Sequence, residues 1–177
     1  MKINVFNITL LACFVIVVAA CNKNNKSAEE VAAKPVINQT IVAKVADASN
    51  VADAFNNYIE LKNQFLKSNM KGIKSTAVML ENKLIGIIGC TEIATLAHQI
   101  ATGNDIKAQR EVFLILSKNI ISLIKGTKFK SVPIYVDFCP MADNGKGGYW
   151  LSITKAIQNP YFPEHMKTCG VVKEQIN

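Results

Sequence analysis

The chain has 177 residues, half of them hydrophobic, and carries 20 Lys and Arg against 13 Asp and Glu for a formal net charge of +7. That length allows one domain of ordinary size with leader segments. The positive balance does not make a nucleic-acid surface, which needs clustered Lys and Arg with interleaved aromatics; here the lysines are scattered among single acids and Arg110 is the only arginine.

The N-terminus reads as an export signal. Lys2 supplies a short positive region, and the run Ile8 to Ala20 is almost wholly apolar. Thirteen residues suit a signal-peptide core, whereas a membrane-spanning helix needs about 20. The run closes on Val18-Ala19-Ala20-Cys21, small residues followed by the cysteine that bacteria acylate before cleavage. Residues 1–20 are therefore expected to be removed and Cys21 to be lipidated, anchoring the chain to a membrane with the acyl chains of Cys21. Cys13 leaves with the signal. Asn22, where an aspartate could stand, points to the periplasmic face of the outer membrane. Residues 21–47 follow as a tether rich in Asn, Lys, Ser and Ala, interrupted by Pro35, without a period that would bury a core.

The remaining residues, 48–177, read as one domain. Ser49 or Asn50 caps a first helix with Val51, Phe55, Tyr58, Ile59, Phe65 and Leu66 on its apolar side. Ser68-Asn69 breaks it and caps a second, striped by Ile73, Ala77, Leu80, Leu84 and Ile87, which should end or kink between Gly86 and Gly89. A third carries Ile93, Leu96, Ala97 and Ile100 and stops at Gly103. Asn104 or Asp105 caps a fourth, with Ile106, Phe113, Leu116, Ile120, Leu123 and Ile124 inward and Gly126 at its C-terminal cap. Helices of this kind joined by short loops pack most simply as an up-and-down bundle.

Past residue 131 the pattern changes. Val132, Ile134, Val136 and Phe138 alternate with Pro133, Tyr135 and Asp137, which predicts a half-buried strand with Pro133 at an edge or near its start. The segments around Asp143-Asn144-Gly145, Gly147-Gly148 and Asn159-Pro160 read as turns, and Val171 to Ile176 as a last short strand or helix. The fold class expected is mainly α, a helical bundle with a small C-terminal strand-and-loop cap.

That cap holds the unusual residues. Cys139 and Met141 stand two apart, which on extended chain aims both side chains to one face; Met166 and Cys169 stand three apart, one face of a helical turn, with His165 adjoining. Thiolate and thioether ligands select copper(I) over hard cations, so Cys139, Met141, Met166 and Cys169 would suffice for a soft-metal site if the fold gathers them. Beside this stands the ordinary reading for an exported protein, a Cys139–Cys169 disulfide that would add roughly 3–4 kcal/mol of stability, with both methionines as core filler. Reduction could open such a bridge, so the two readings coexist.

Other candidates carry less. His98 reads as a satisfied structural histidine, Cys90 as a buried, inert thiol after LIGIIGC, and Trp150 as the anchor packing the C-terminal loop on the bundle. There is no phosphate-binding glycine loop, no nucleophile elbow and no zinc-binding His-Glu helix motif. The expectation is a protein that is not an enzyme.

The segments QREVF with Leu116-Ser117, CPMADNGKGGYWLS and IQNPYFPEHMKTCG, in that order, resemble an exported domain of unknown function from Bacteroidota. It occurs as free-standing lipoproteins and as a C-terminal extension on membrane-fusion subunits of copper/silver-type efflux pumps. The resemblance covers about residues 48 to 177. It implies a role in handling copper or a related soft ion, a heavy-metal efflux system as partner, Cys139, Met141, Met166 and Cys169 as the matching metal positions, and Trp150 and Asn159 as framework. His165 and Cys90 depart from the pattern. The adaptor portion is lacking here, so a pump-subunit role does not transfer.

Overall fold

A computed structural model describes residues 48–127 and 132–176. The signal segment, Cys21 and the tether expected for residues 1–47 lie outside the described residues. Four helices come first: α1 Ala48–Leu66, α2 Met70–Ile85, α3 Thr91–Thr102 and α4 Ile106–Gly126. Three strands follow, β1 Ile134–Cys139, β2 Gly148–Ser152 and β3 Val171–Ile176, in one antiparallel sheet of order β2-β1-β3. Among the described residues no helix is long and apolar enough to cross a membrane.

The helices run up and down. Asp53 near the start of α1 pairs with Lys83 near the end of α2 at 2.8 Å. Glu81 of α2 meets His98 of α3 at 3.1 Å, and Lys74 near the start of α2 reaches Asn104 beyond the end of α3 at 2.6 Å. Caps fix the boundaries as expected from residue chemistry. Asn69 Oδ1 accepts from Gly72 N and Asp105 Oδ2 from Ala108 N, each satisfying an otherwise orphaned first-turn donor. Gly86 and Gly103 cap the C-terminal ends of α2 and α3. Two boundaries move slightly: α1 already includes Ser49 and Asn50, and Gly126 is the last residue of α4, with Thr127 as its cap.

The apolar stripes meet in one core. Phe113 of α4 is fully buried, stacked 5.5 Å from Tyr58 of α1 and tilted against Phe65 of α1 at 4.7 Å and Tyr161 of the cap at 6.0 Å. The Tyr58 and Ser117 hydroxyls share a 2.8 Å hydrogen bond, and Leu151 N of β2 donates to the Tyr58 hydroxyl. Bundle and sheet are thus joined by polar contacts within an apolar interior, where an unmade bond would cost more than a made one contributes.

Pro133 stands just before the start of β1, one of the two places expected for it, and β1 is the central strand and not an edge. The sheet departs from expectation in its faces: β1 is not half-buried with Asp137 outward, since Asp137 is wholly buried and Phe138 partly exposed. The pairing with β3 shifts register between Val136 and Asp137, with Lys173 of β3 as the extra residue, while β1 itself keeps its alternation. Asp137 lies opposite Trp150 on β2 and Phe138 opposite Tyr149, so the two pairs occupy opposite faces.

Candidate functional site

Cys139 is the last residue of β1 and is completely buried. Cys169 lies thirty residues on, just before β3, and is partly exposed. Their sulfur atoms come within 3.6 Å. The two thiols are free, as is Cys90. The hydrogen bond to Cys139, with some burial, holds the Cys169 thiol above its ordinary range, so that thiol keeps its proton until a metal or an oxidant displaces it.

The loop between β2 and β3 is built to present Cys169. Asn159 is fully buried; its Nδ2 donates to Cys169 O at 3.0 Å and its Oδ1 accepts from Tyr161 N at 2.9 Å. Asn159 N donates to Lys167 O at 2.7 Å, so one residue closes the loop at three points. A turn in which Cys169 N donates to Met166 O then aims the thiol inward. Gly170, with φ +147, takes the chain past β1: a Cβ there would lie 2.9 Å from Phe138 O and 3.0 Å from the Trp150 ring. The corner after β1 is equally constrained, since Gly147 has φ +88 and a Cβ would meet the Phe138 ring at 2.3 Å.

The thioethers are placed differently from the thiols. β1 ends at Cys139, so Met141 falls in the following turn and is 55% exposed while Cys139 is buried; the shared face expected from extended chain does not form. Met166 opens the turn that Cys169 closes and is partly buried. Among the described residues no three His, Cys, Asp or Glu side chains converge, so the thiol pair has no third ligand of those types. His165 is exposed, and His98 faces Glu81 in the bundle. Cys90 is buried at the start of α3, its thiol pushed up by burial.

Sequence reasoning missed a buried polar group beside this site. Both Asp137 carboxylate oxygens and Trp150 Nε1 are buried without a hydrogen-bond partner. Burial pushes the Asp137 carboxyl up to about 7, against the pull of the Lys62 ammonium and the Trp150 indole, which is near but not in bonding geometry. Lys62 of α1 is itself only 4% exposed, and burial lowers its affinity for a proton. Asp137 sits two residues from Cys139 on the same strand, so the thiol's surroundings are polar at depth. The only sequence signal was an acid inside a strand pattern, which reads as outward-facing by default.

The segments that carry the resemblance also resolve into structural roles. Gln109 Nε2 donates to Ile100 O at 2.7 Å and so closes the α3–α4 corner. Arg110 donates to Pro160 O, Phe65 O and Ser68 Oγ, pinning the cap loop to α1 and α4. A groove of about 620 Å³ opens between α4 and this loop, lined by Leu114, Ala142, Tyr161 and Phe162 among others, and does not include either thiol.

Residues 54–131 match a family model described as "Protein of unknown function (DUF3347)". The matched span runs from α1 to just before β1, so the bundle is similar to that domain and the thiol-bearing cap lies beyond the match. No curated protein and no solved structure matches the chain.

Proposed function

We propose that this chain is a lipid-anchored periplasmic domain that binds copper(I), or a similarly soft ion, through Cys139 and Cys169, in a role accessory to heavy-metal efflux. The observation that carries the reading is the approach of two free thiols to 3.6 Å across thirty residues, one buried and one reachable from solvent. Two thiolates on one ion at bond lengths of roughly 2.3 Å would stand about 3.8 Å apart at a tetrahedral angle and about 4.0 Å apart at a trigonal one, so the sulfurs need to separate by only a few tenths of an ångström. Two soft ligands on which, among the described residues, no carboxylate or imidazole converges favour an ion content with few ligands, and a methionine thioether from Met166 or Met141 can complete the shell. The lipobox at Cys21 and the resemblance to an extension of copper/silver efflux adaptors support the location and the cargo.

The same spacing favours a second reading, an envelope interaction module stapled by a Cys139–Cys169 disulfide, since closing the gap to about 2.05 Å needs only small movement. A competition titration against a colorimetric copper(I) chelator, under anaerobic reducing conditions, separates the two. Wild type should compete, Cys139→Ser and Cys169→Ser should lose most of the affinity, Met141→Leu and Met166→Leu should lose less, and Cys90→Ser should change little. Affinity should fall with falling pH, because copper must displace thiol protons. Equal, poor competition by wild type and the double Cys139/Cys169 variant would reject metal binding. An intact mass two hydrogens below the reduced value, mapped to those cysteines, would then establish the staple.

A further inference from the structure

The turn joining α2 to α3 turns two large apolar side chains outward. Ile85 is 65% exposed and Ile88 is 66% exposed, while Ile87 between them is buried at 3%. The backbone holds this arrangement: Ile87 N donates to Leu84 O at 3.0 Å and Cys90 N to Ile87 O at 3.1 Å. With Ile87 anchored in the core, its two neighbours are kept in solvent by a hydrogen-bonded turn.

A second observation concerns where the N-terminal segment joins the bundle. α1 starts at Ala48, and Asp53, in its second turn, pairs with Lys83 in the last turn of α2. The end of the bundle that receives the preceding 47 residues is therefore the end that displays Ile85 and Ile88. The opposite end is marked by the Lys74–Asn104 contact and the start of α4. If Cys21 is acylated, 26 residues separate it from Ala48, and even fully stretched they hold the domain within about 90 Å of the lipid. Such a link raises the effective concentration of the turn at the bilayer far above that of a free protein, so a small contact suffices.

We propose that Ile85 and Ile88 insert into the acyl boundary of the membrane that holds Cys21, seating the domain end-on; this rests on the lipoprotein reading above. The contact is apolar and not electrostatic. The charged side chains near the turn are of mixed sign, with Lys83 already paired to Asp53 and Glu81 and Glu92 close along the chain. Isoleucines at the headgroup boundary bind through buried apolar area, with little dependence on anionic lipid.

The full acylated chain, purified from membranes and reconstituted into phosphatidylethanolamine/phosphatidylglycerol vesicles with or without dibrominated acyl chains, gives the test. Trp150 is the only tryptophan and is fully buried, so wild-type emission should be insensitive to the bromines. Ile88→Trp and, as a second position, Ile85→Trp should each gain a blue-shifted component that brominated lipid quenches, unchanged in high salt or without phosphatidylglycerol. Lys107→Trp, exposed at the other end, should stay unquenched. Mass analysis of the Cys21 peptide is run on the same sample. Acylated protein that stays with the vesicles while both isoleucine variants behave like Lys107→Trp would overturn insertion and leave the lipoprotein reading standing. A Cys21 peptide without acyl chains would overturn both. Quenching that vanishes in high salt would replace the apolar contact with an electrostatic one and overturn the proposal as stated.

Discussion

Asn159 shows how one side chain can set the geometry of a site it does not touch. Its amide donates to the Cys169 carbonyl while its carbonyl oxygen accepts from Tyr161, and the residue is fully buried. Asn159→Ala would leave those two backbone groups unpaired at depth, a loss of about 1–3 kcal/mol. Chemical denaturation should register that loss, and thiol alkylation should be faster at Cys169 because the loop no longer holds it against Cys139. Asp137 invites a different experiment. Its carboxyl is raised to about 7 in the folded chain from an ordinary value near 3.8. Between those values the folded state binds more protons than the unfolded state, so this residue's contribution to stability falls as pH rises through that window. Denaturation midpoints measured at pH 5 and pH 8 should therefore differ less in Asp137→Asn than in wild type.

Among the secondary elements, the helices were legible and the sheet was only half so. Asn69, Asp105, Gly86 and Gly103 act through local chemistry, caps for orphaned backbone groups, and they end up where local reasoning puts them. The stripe through Phe113, Leu116, Ile120 and Ile124 is likewise buried as its spacing predicts. Phe113→Ala, at the meeting of α1, α4 and the cap, should cost about 3–5 kcal/mol by chemical denaturation, as for other buried aromatics. β2 escaped notice because its five residues begin on Gly148 and are nearly all buried, so they show no alternation to detect. β1 showed alternation, but the face that carries Asp137 opposite Trp150 is the buried one and Phe138 is partly exposed, which residue polarity alone reverses. Cys139 and Cys169 could be named from their residue type, whereas their approach depends on Asn159, Gly170 and Trp150, which act through tertiary contacts that no spacing rule encodes.

For the molecule as a whole, contacts near in sequence build the bundle and contacts distant in sequence build the cap. α1 to α4 follow one another as neighbours, whereas β3 returns from the C-terminus to pair with β1 and brings Cys169 to Cys139. Local topologies close faster than distant ones. Cys90 sits in the part with local contacts and has no exposed surface, and the Cys139–Cys169 pair sits in the part with distant ones. A polypeptide threaded through a translocation pore from its N-terminus, as expected of this one, would thus hide its third thiol before the last one emerges. Under the disulfide reading, order of burial would then do the work of a pairing catalyst: the sulfur left to meet Cys139 is its native neighbour. Slowing bundle closure should spoil that timing. Under that reading, non-reducing peptide maps of exported Phe113→Ala should contain Cys90–Cys139 cross-links, and adding Cys90→Ser to the same chain should remove them without restoring the stability lost with Phe113.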